Sequence, residues 1–339
     1  MGNEPDKHRL IDKLRDGAFS MEIRPPDDDS AISEMISTGD RLLVLKGKGI
    51  YETKLADEVD PERTNIDVPN TVQRVIPFGM DTAWIGAVIL TAHQLFHSSF
   101  SPIEIDSEKA FAIVLEMAQE IAGAYQVESN YRDALEVATK KLDLKIQKDR
   151  SFVVPAIGNV ETRCNEFLQR VDHTLQKLFR LVQMFYSDVG SGGWDSLKKR
   201  IDDENRNIDN FPQFLEEVIP FLQLIRNARN CVEHPRAEQK IVVTEFSLDL
   251  KNMLLPPMIE IVHPRTPHGG VSVDEFFGKA LQKMVTVVEI MIVFLCARNV
   301  KSFGGLELQV IEIPPDRRKY QHVRYGYGAI FEDQIAPIG

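Results

Sequence analysis

Cysteine is scarce in this sequence, with three residues in a chain of 339. Small folds that depend on disulfides or on structural zinc need more cysteines at closer spacing, so both classes are excluded. Cys164, Cys231 and Cys296 are far apart, and each lies in an apolar helical pattern. We predict that all three are reduced core residues of a cytoplasmic protein, and we expect no metal site.

Long hydrophobic runs are lacking as well. The most apolar stretch, Met284–Ala297, has 14 residues and contains Glu289. A helix that spans a bilayer needs about 20 mostly apolar residues, so this stretch predicts a buried helix rather than a membrane segment. Residues 1–10 carry no apolar segment of the secretory type, so we expect a cytoplasmic location without membrane contact.

Positive charge is in deficit, since 40 Lys and Arg residues face 51 Asp and Glu residues and give a formal net charge of −11. Proteins that coat nucleic acid are normally basic, because they neutralise phosphates. Any action on nucleic acid would therefore need a local basic site. The glycine clusters match neither a Walker nor a Rossmann pattern, and no serine lies in a Gly-x-Ser-x-Gly elbow, so no cofactor is expected.

The rest of the composition is that of an ordinary globular protein, with 43% hydrophobic and 27% charged residues. The length suits two domains. We predict four segments, namely a polar extension at 1–40, a mixed and mostly helical region at 41–150, a helical bundle at 151–305 and a β-rich tail at 306–339. Within the second segment, β-rich pieces around glycines predict a small hairpin at Arg41–Leu55.

Apolar residues recur at spacings of three and four along most of the chain, which predicts helices. The predicted helices span about 7–16, 84–96, 107–122, 129–146, 159–186, 194–205, 212–234 and 273–299, and a β-hairpin is predicted at 241–264. The predicted core of the bundle contains Leu175, Phe179, Leu224, Ala228, Cys231, Val288 and Leu295. The predicted fold is mainly α, a C-terminal antiparallel four-helix bundle with an inserted β-hairpin and a short β tail, preceded by a mostly helical N-terminal region.

The most informative stretch is FLQLIRNARNCVEHP, Phe221–Pro235. Its apolar residues form one helical stripe, and the other side is polar. The polar side carries Arg226, Asn227, Arg229, Asn230, Glu233 and His234. On an ideal helix Asn227, Asn230 and His234 share a narrow face. Because the residue before a proline avoids the α region, we expect the last turn to loosen at His234.

The segment Arg229-Asn230-Cys231-Val232-Glu233-His234 resembles the Arg-x4–6-His signature of the HEPN superfamily, which often has Asn directly after the Arg. The resemblance covers about residues 156–300 and implies a HEPN-like four-helix bundle with the motif on its third helix. The hairpin inserted before the last helix departs from the simplest members of the family.

The resemblance also implies an activity, that of a metal-independent endoribonuclease in which the 2′-hydroxyl of single-stranded RNA attacks the neighbouring phosphate. His234 would be the general acid and base, Arg229 would bind the phosphate, and Asn230 would orient the substrate or His234. Active members of the family are usually homodimers with two motifs at one cleft. The family suggests a role as a toxin or in phage defence.

Two alternatives stay open for the same residues. The polar side would be an ordinary solvated face if Arg229 pairs with Glu233 one turn later and His234 caps the helix. A HEPN-like protein would also be non-catalytic if it served as an interaction or scaffold protein, with a protein partner bound through residues 1–150.

Two further sets of residues are weaker candidates. The tail interleaves cations with tyrosines, a pattern that fits single-stranded RNA, and it competes with a plain β-hairpin that has charged edges. With Arg226, the candidate RNA-binding residues are Arg317, Arg318, Lys319 and Arg324. His93 and His97 lie four residues apart on a predicted helix, but no third ligand is evident, so we predict packing or surface roles for them.

Overall fold

A computed structural model describes residues 9–17, 23–97, 103–140, 147–204, 209–302, 306–331 and 334–337. The chain is 51% helical and 18% strand, and its strands pair in several antiparallel sheets. The protein is therefore mixed α/β. The prediction of a mainly α fold, built on a HEPN-like four-helix bundle with a hairpin and a tail, is wrong.

The helices of the described ranges vary from one turn to 34 residues. They are α1 (Leu10–Asp16), α2 (Ala56–Val59), α3 (Thr91–Phe96), α4 (Ser107–Lys140), α5 (Val160–Phe185), α6 (Gly193–Asp203), α7 (Phe211–Glu233) and α8 (Val273–Asn299). A π-helical turn, Ile85–Leu90, leads directly into α3. The predicted helix ends at 7–8, 141–146 and 205 lie outside the described residues.

The strands form four separate antiparallel groups in the described part of the chain. They are β1 (Glu34–Thr38), β2 (Arg41–Leu45), β3 (Ile50–Lys54), β4 (Thr71–Ile76), β5 (Lys240–Thr244), β6 (Ser247–Leu248), β7 (Leu254–Leu255), β8 (Met258–Val262), β9 (His268–Ser272), β10 (Glu307–Glu312), β11 (Tyr325–Phe331) and β12 (Gln334–Pro337). The spatial orders are β1-β2-β3-β4, β5-β8-β9, β10-β11-β12 and the pair β6-β7.

Buried and exposed residues alternate only weakly along some strands, so the sequence predicts less strand than the structure contains. The first three residues of β4 are all exposed, so they show no buried face. β9 contains Gly269 and Gly270, which have no side chains that could alternate. The predicted hairpin at Arg41–Leu55 is confirmed by the pairing of β2 with β3, but it is the centre of a larger sheet rather than an isolated hairpin.

The chain divides into two compact units, residues 1–86 and residues 87–339. We call them the N-terminal unit and the C-terminal unit. The predicted segments instead had boundaries at 40, 150 and 305. One reason for the difference is that α4 and α5, on either side of residue 150, pack along each other in the C-terminal unit.

The N-terminal unit is built on the four-stranded sheet. Its apolar core includes Ile36, Leu43, Leu45, Ile50 and Ile76. The buried carboxylate of Asp28 accepts hydrogen bonds from the hydroxyls of Ser30 at 2.6 Å and Tyr51 at 3.0 Å. These bonds compensate the loss of water around a buried charge.

In the C-terminal unit α5 packs against α4, α7 and α8. The predicted core residues that are buried are Leu175, Ala228, Cys231, Val288 and Leu295. Phe179 and Leu224 are only half-buried. Phe179 packs edge-on against Trp194, with ring centroids 5.0 Å apart, whereas Leu224 lines an open groove.

Among the described helices, α8 is long and apolar enough to cross a membrane by length and composition. In the structure 56% of its most apolar window is buried inside the protein. Val288, Met291 and Leu295 lie in the core of the C-terminal unit. Such burial is typical of the central helix of a globular unit.

Candidate site at the end of helix α7

The predicted motif lies at the C-terminal end of α7. Pro212 occupies the first turn of this helix, where its missing N–H costs no hydrogen bond. The helix ends at Glu233, and His234 leaves the helical conformation with φ −133° and ψ 62°. This loosening before Pro235 agrees with the expectation from the sequence. The motif residues are therefore carried by the last turns of one helix.

Arg229 is held by carboxylates on two helices. Its Nη1 lies 2.5 Å from Glu233 Oε2, one turn later on α7, and its Nε lies 3.6 Å from Asp172 Oδ2 on α5. The Nε is buried and has no hydrogen-bond partner within the described residues, so its contact with Asp172 is electrostatic. The Arg229 side chain is 21% exposed. The pair with Glu233 is the arrangement expected for a solvated face.

Asp172 was not indicated as a site residue by the sequence pattern. Its side chain is 3% exposed, and it accepts hydrogen bonds from Gln176 at 2.5 Å and from Arg226 Nη1 at 3.1 Å. A buried carboxylate is costly unless cations or donors surround it. Arg226 and Arg229 supply that charge and tie α7 to α5. The sequence signal that could have identified Asp172 is a charged residue within the apolar stripe of α5.

The loop between β8 and β9 covers part of the predicted polar face. Asn227 Nδ2 donates to Thr266 Oγ1 at 3.1 Å, and Thr266 Oγ1 lies 3.2 Å from His263 Nδ1. The backbone N–H groups of Arg265 and Thr266 also donate to His263 Nδ1, each at 3.2 Å. This nitrogen is therefore an acceptor, which places the proton of the neutral ring on Nε2. Asn227 is thus engaged with the loop.

His234 is the most exposed of the three predicted catalytic residues. Its backbone N–H donates to the Asn230 carbonyl at 2.9 Å and closes the last turn of α7. Its side chain is exposed, whereas those of Asn230 and Arg229 are half-buried. Between them Cys231 is buried, and burial raises the pKa of its thiol, so this cysteine is a poor nucleophile.

Arg324 of the tail is engaged within the protein. Its Nε and Nη2 donate to the Glu289 carboxylate of α8 at 3.0 and 2.5 Å. This carboxylate is buried, and it raises the pKa of Arg324. Tyr327, one of the interleaved tyrosines, is also buried and donates its hydroxyl to the Leu95 carbonyl at 2.8 Å. Both residues hold the tail to the helices.

The other tail cations differ in their surroundings. Arg318 is 11% exposed and pairs with Glu312 at 3.0 Å. Arg317 and Lys319 are exposed. Lys319 Nζ lies 5.1 Å from the centre of the Tyr320 ring, a cation–π contact. Of the four candidate cations of the tail, Arg317 and Lys319 are therefore the two most open to solvent.

His93 and His97 pack together as rings. Their centroids are 5.0 Å apart, and both rings meet Phe111, at 5.4 and 5.3 Å. His97 Nε2 lies 3.3 Å from Glu108 Oε1. The described residues contain no group of three or more side chains suited to hold a metal ion. Packing accounts for the spacing of the two histidines.

Comparisons with known protein families, with curated proteins and with solved structures find no match for this chain. The resemblance to HEPN proteins consequently rests on the six residues Arg229–His234 and on their position in a helix.

Proposed function

We propose that this protein is a non-catalytic interaction protein, in which the Arg229 region of α7 has a structural role. The observation that carries the proposal is the engagement of Arg229 by both Asp172 and Glu233. An arginine that stabilises charge on a reacting phosphate needs a guanidinium available for that charge. Here the guanidinium already pairs with two carboxylates. A phosphate bound to Arg229 would leave the buried carboxylate of Asp172 with less compensating positive charge.

The proposed partner surface lies on the N-terminal unit. Most of the large apolar side chains that are exposed within the described residues belong to this smaller unit. They are Leu10, Leu14, Ile32, Met35, Leu55, Val59, Ile66 and Val72. Leu10 and Leu14 lie one turn apart on α1, and Met35 lies on β1, an edge strand. Neighbouring exposed apolar side chains, such as Leu10 and Leu14 on α1, are typical of protein-binding surfaces.

Affinity purification from a cell extract tests this surface, with wild type, Leu14→Lys and Leu250→Lys compared by quantitative mass spectrometry. Both leucines are strongly exposed, and Leu250 lies in the C-terminal unit, so it is the matched control. We expect at least one protein to co-purify with wild type and with Leu250→Lys but not with Leu14→Lys. If all three chains retain the same proteins, the N-terminal unit is not the binding surface.

A metal-independent endoribonuclease is the second candidate function. The observation that favours it is that His234 is exposed at the end of the helix that carries Arg229 and Asn230. In this function the 2′-hydroxyl of single-stranded RNA attacks the adjacent phosphate, and the products are a 2′,3′-cyclic phosphate and a 5′-hydroxyl. His234 would transfer the protons, Arg229 would bind the phosphate, and a homodimer would supply two such motifs. A toxin or phage-defence role would accompany this activity.

Incubation of the purified protein with single-stranded RNA in excess EDTA tests the second candidate. Wild type should leave 2′,3′-cyclic phosphate ends and spare DNA, which lacks the attacking hydroxyl. His234→Ala should lower the rate by about 10²–10⁴, whereas the exposed control His322→Ala should not change it. Cleavage that survives His234→Ala, no cleavage by wild type, or light scattering that shows only a monomer would each count against this function.

A further inference from the structure

An apolar groove lies in the C-terminal unit between α7, β9 and the first turns of α8. Its volume is about 340 Å³, near the lower end of the roughly 300–1,000 Å³ that is usual for small-molecule sites. Phe221 and Leu224 of α7, Val271 of β9 and Phe276 and Ala280 of α8 line it. The groove is open to solvent on one side, and its apolar lining is unlike the charged end of α7.

The wall formed by α8 is fixed by packing. The Phe276 side chain is almost fully buried, and its ring meets His268 edge-on at 5.6 Å and Phe167 at 6.3 Å between centroids. His268 is in turn held by the bond from its Nδ1 to the Gly269 carbonyl at 3.0 Å. The groove therefore exists before any ligand enters, which lowers the cost of binding.

The charged residues that line the groove leave one positive charge uncompensated. Lys279 Nζ pairs with Glu275 Oε1 at 2.5 Å, and this ammonium lowers the pKa of Glu275. Lys283 lies one turn further along α8 and makes no ion pair with any residue in the described ranges. Two like charges one turn apart repel each other, so an anion beside Lys283 would be stabilising.

We propose that this groove binds a free medium-chain aliphatic carboxylate, with its alkyl chain against Phe221, Leu224 and Phe276 and its carboxylate at Lys283 Nζ. Burial of the chain supplies the hydrophobic part of the affinity, and the uncompensated ammonium selects an anionic head group. A partner helix, about 10–12 Å in diameter with its side chains, would extend well beyond a cavity of this size. The inference does not rest on the function proposed above.

Isothermal titration of the full-length protein with decanoate tests this site, with decyltrimethylammonium as a cationic probe of equal chain length. Wild type should bind one decanoate saturably and the cationic probe at least tenfold more weakly. Lys283→Gln should weaken decanoate binding by about tenfold, whereas Lys251→Gln, an exposed lysine outside the groove, should leave it unchanged. Ala280→Leu fills the groove and should abolish binding.

Other results would overturn the proposal. They are an absence of saturable decanoate binding by wild type, equal affinity for the two probes, or equal affinity of wild type and Lys283→Gln. Circular dichroism identifies a variant that has not folded. Lys283 is not among the buried residues of the described chain, so Lys283→Gln remains informative if Ala280→Leu misfolds. A concentration-dependent dimer that Leu224→Asp abolishes would show that a second copy of the chain covers the groove instead.

Discussion

Asp172 explains much of the arrangement around Arg229. A carboxylate that is 3% exposed has lost nearly all its water. Polar contacts from three side chains replace that water, and they come from Gln176, Arg226 and Arg229. The pairing of Arg229 with Glu233 followed from the sequence, because the two lie four residues apart on a helix. The contact with Asp172 did not follow from it, because this residue lies on another helix and only tertiary packing brings the two together.

Replacement of Arg229 should therefore destabilise the fold. We expect Arg229→Ala to lower the free energy of unfolding by about 1–3 kcal/mol, because a buried carboxylate loses one of its two cations. Arg229→Lys, which retains the positive charge, should lose less. Urea denaturation followed by circular dichroism measures both changes.

Arg265 provides the control for this experiment. It is exposed on the loop between β8 and β9, so Arg265→Ala should change the free energy of unfolding by no more than about 0.5 kcal/mol. Equal stability of Arg229→Ala and Arg265→Ala would contradict the structural role of Arg229. In that case the ion pairs around Arg229 contribute nothing measurable to the free energy of unfolding, which is also the result for many exposed ion pairs.

At the scale of elements, strong periodicity was enough to locate the longest helices. α5 and α8 lie where spacings of three and four predicted them, with ends within about two residues. α4 was predicted as two helices, with a new one from Ser129, but it is continuous from Ser107 to Lys140 because it packs along α5. The π-helical turn before α3 and the glycine-containing strand β9 have no comparable pattern, so the sequence did not predict them.

Two leucines on α7, two residues apart, occupy different environments, one in the core and the other at the groove. Leu222 is 1% exposed, whereas Leu224 is half-buried and lines the groove. Leu222→Ala should lower the free energy of unfolding by about 2–5 kcal/mol, because it leaves a cavity. Leu224→Ala should cost clearly less, since the groove beside it is already open to solvent. Parallel urea denaturation of the two variants measures the difference, and equal losses would place Leu224 in the core.

Across the whole molecule, several weak acids are buried in their neutral forms. Cys164, Cys231 and Cys296 are buried and form no disulfide, and burial raises the pKa of each thiol, that of Cys164 to about 12. Burial also raises the pKa of the phenols of Tyr131 and Tyr327. Each of these groups keeps its proton in the folded protein to a higher pH than in the unfolded chain.

These buried acids predict that stability falls under alkaline conditions. Above the ordinary thiol pKa of 9.0, the unfolded chain loses the Cys164 proton while the folded protein retains it up to about pH 12. Deprotonation therefore favours the unfolded state, so this contribution is complete below pH 9.0 and is lost as the pH rises towards 12. The urea midpoint, measured from pH 7 to pH 11, should decline over this window. The urea midpoint of Cys164→Ala should decline less steeply with pH. The packing that this variant loses is the same at every pH, so it does not affect the comparison of the two slopes. A wild-type midpoint that is constant up to pH 11, or equal slopes for the two chains, would show that the buried thiol does not couple to folding.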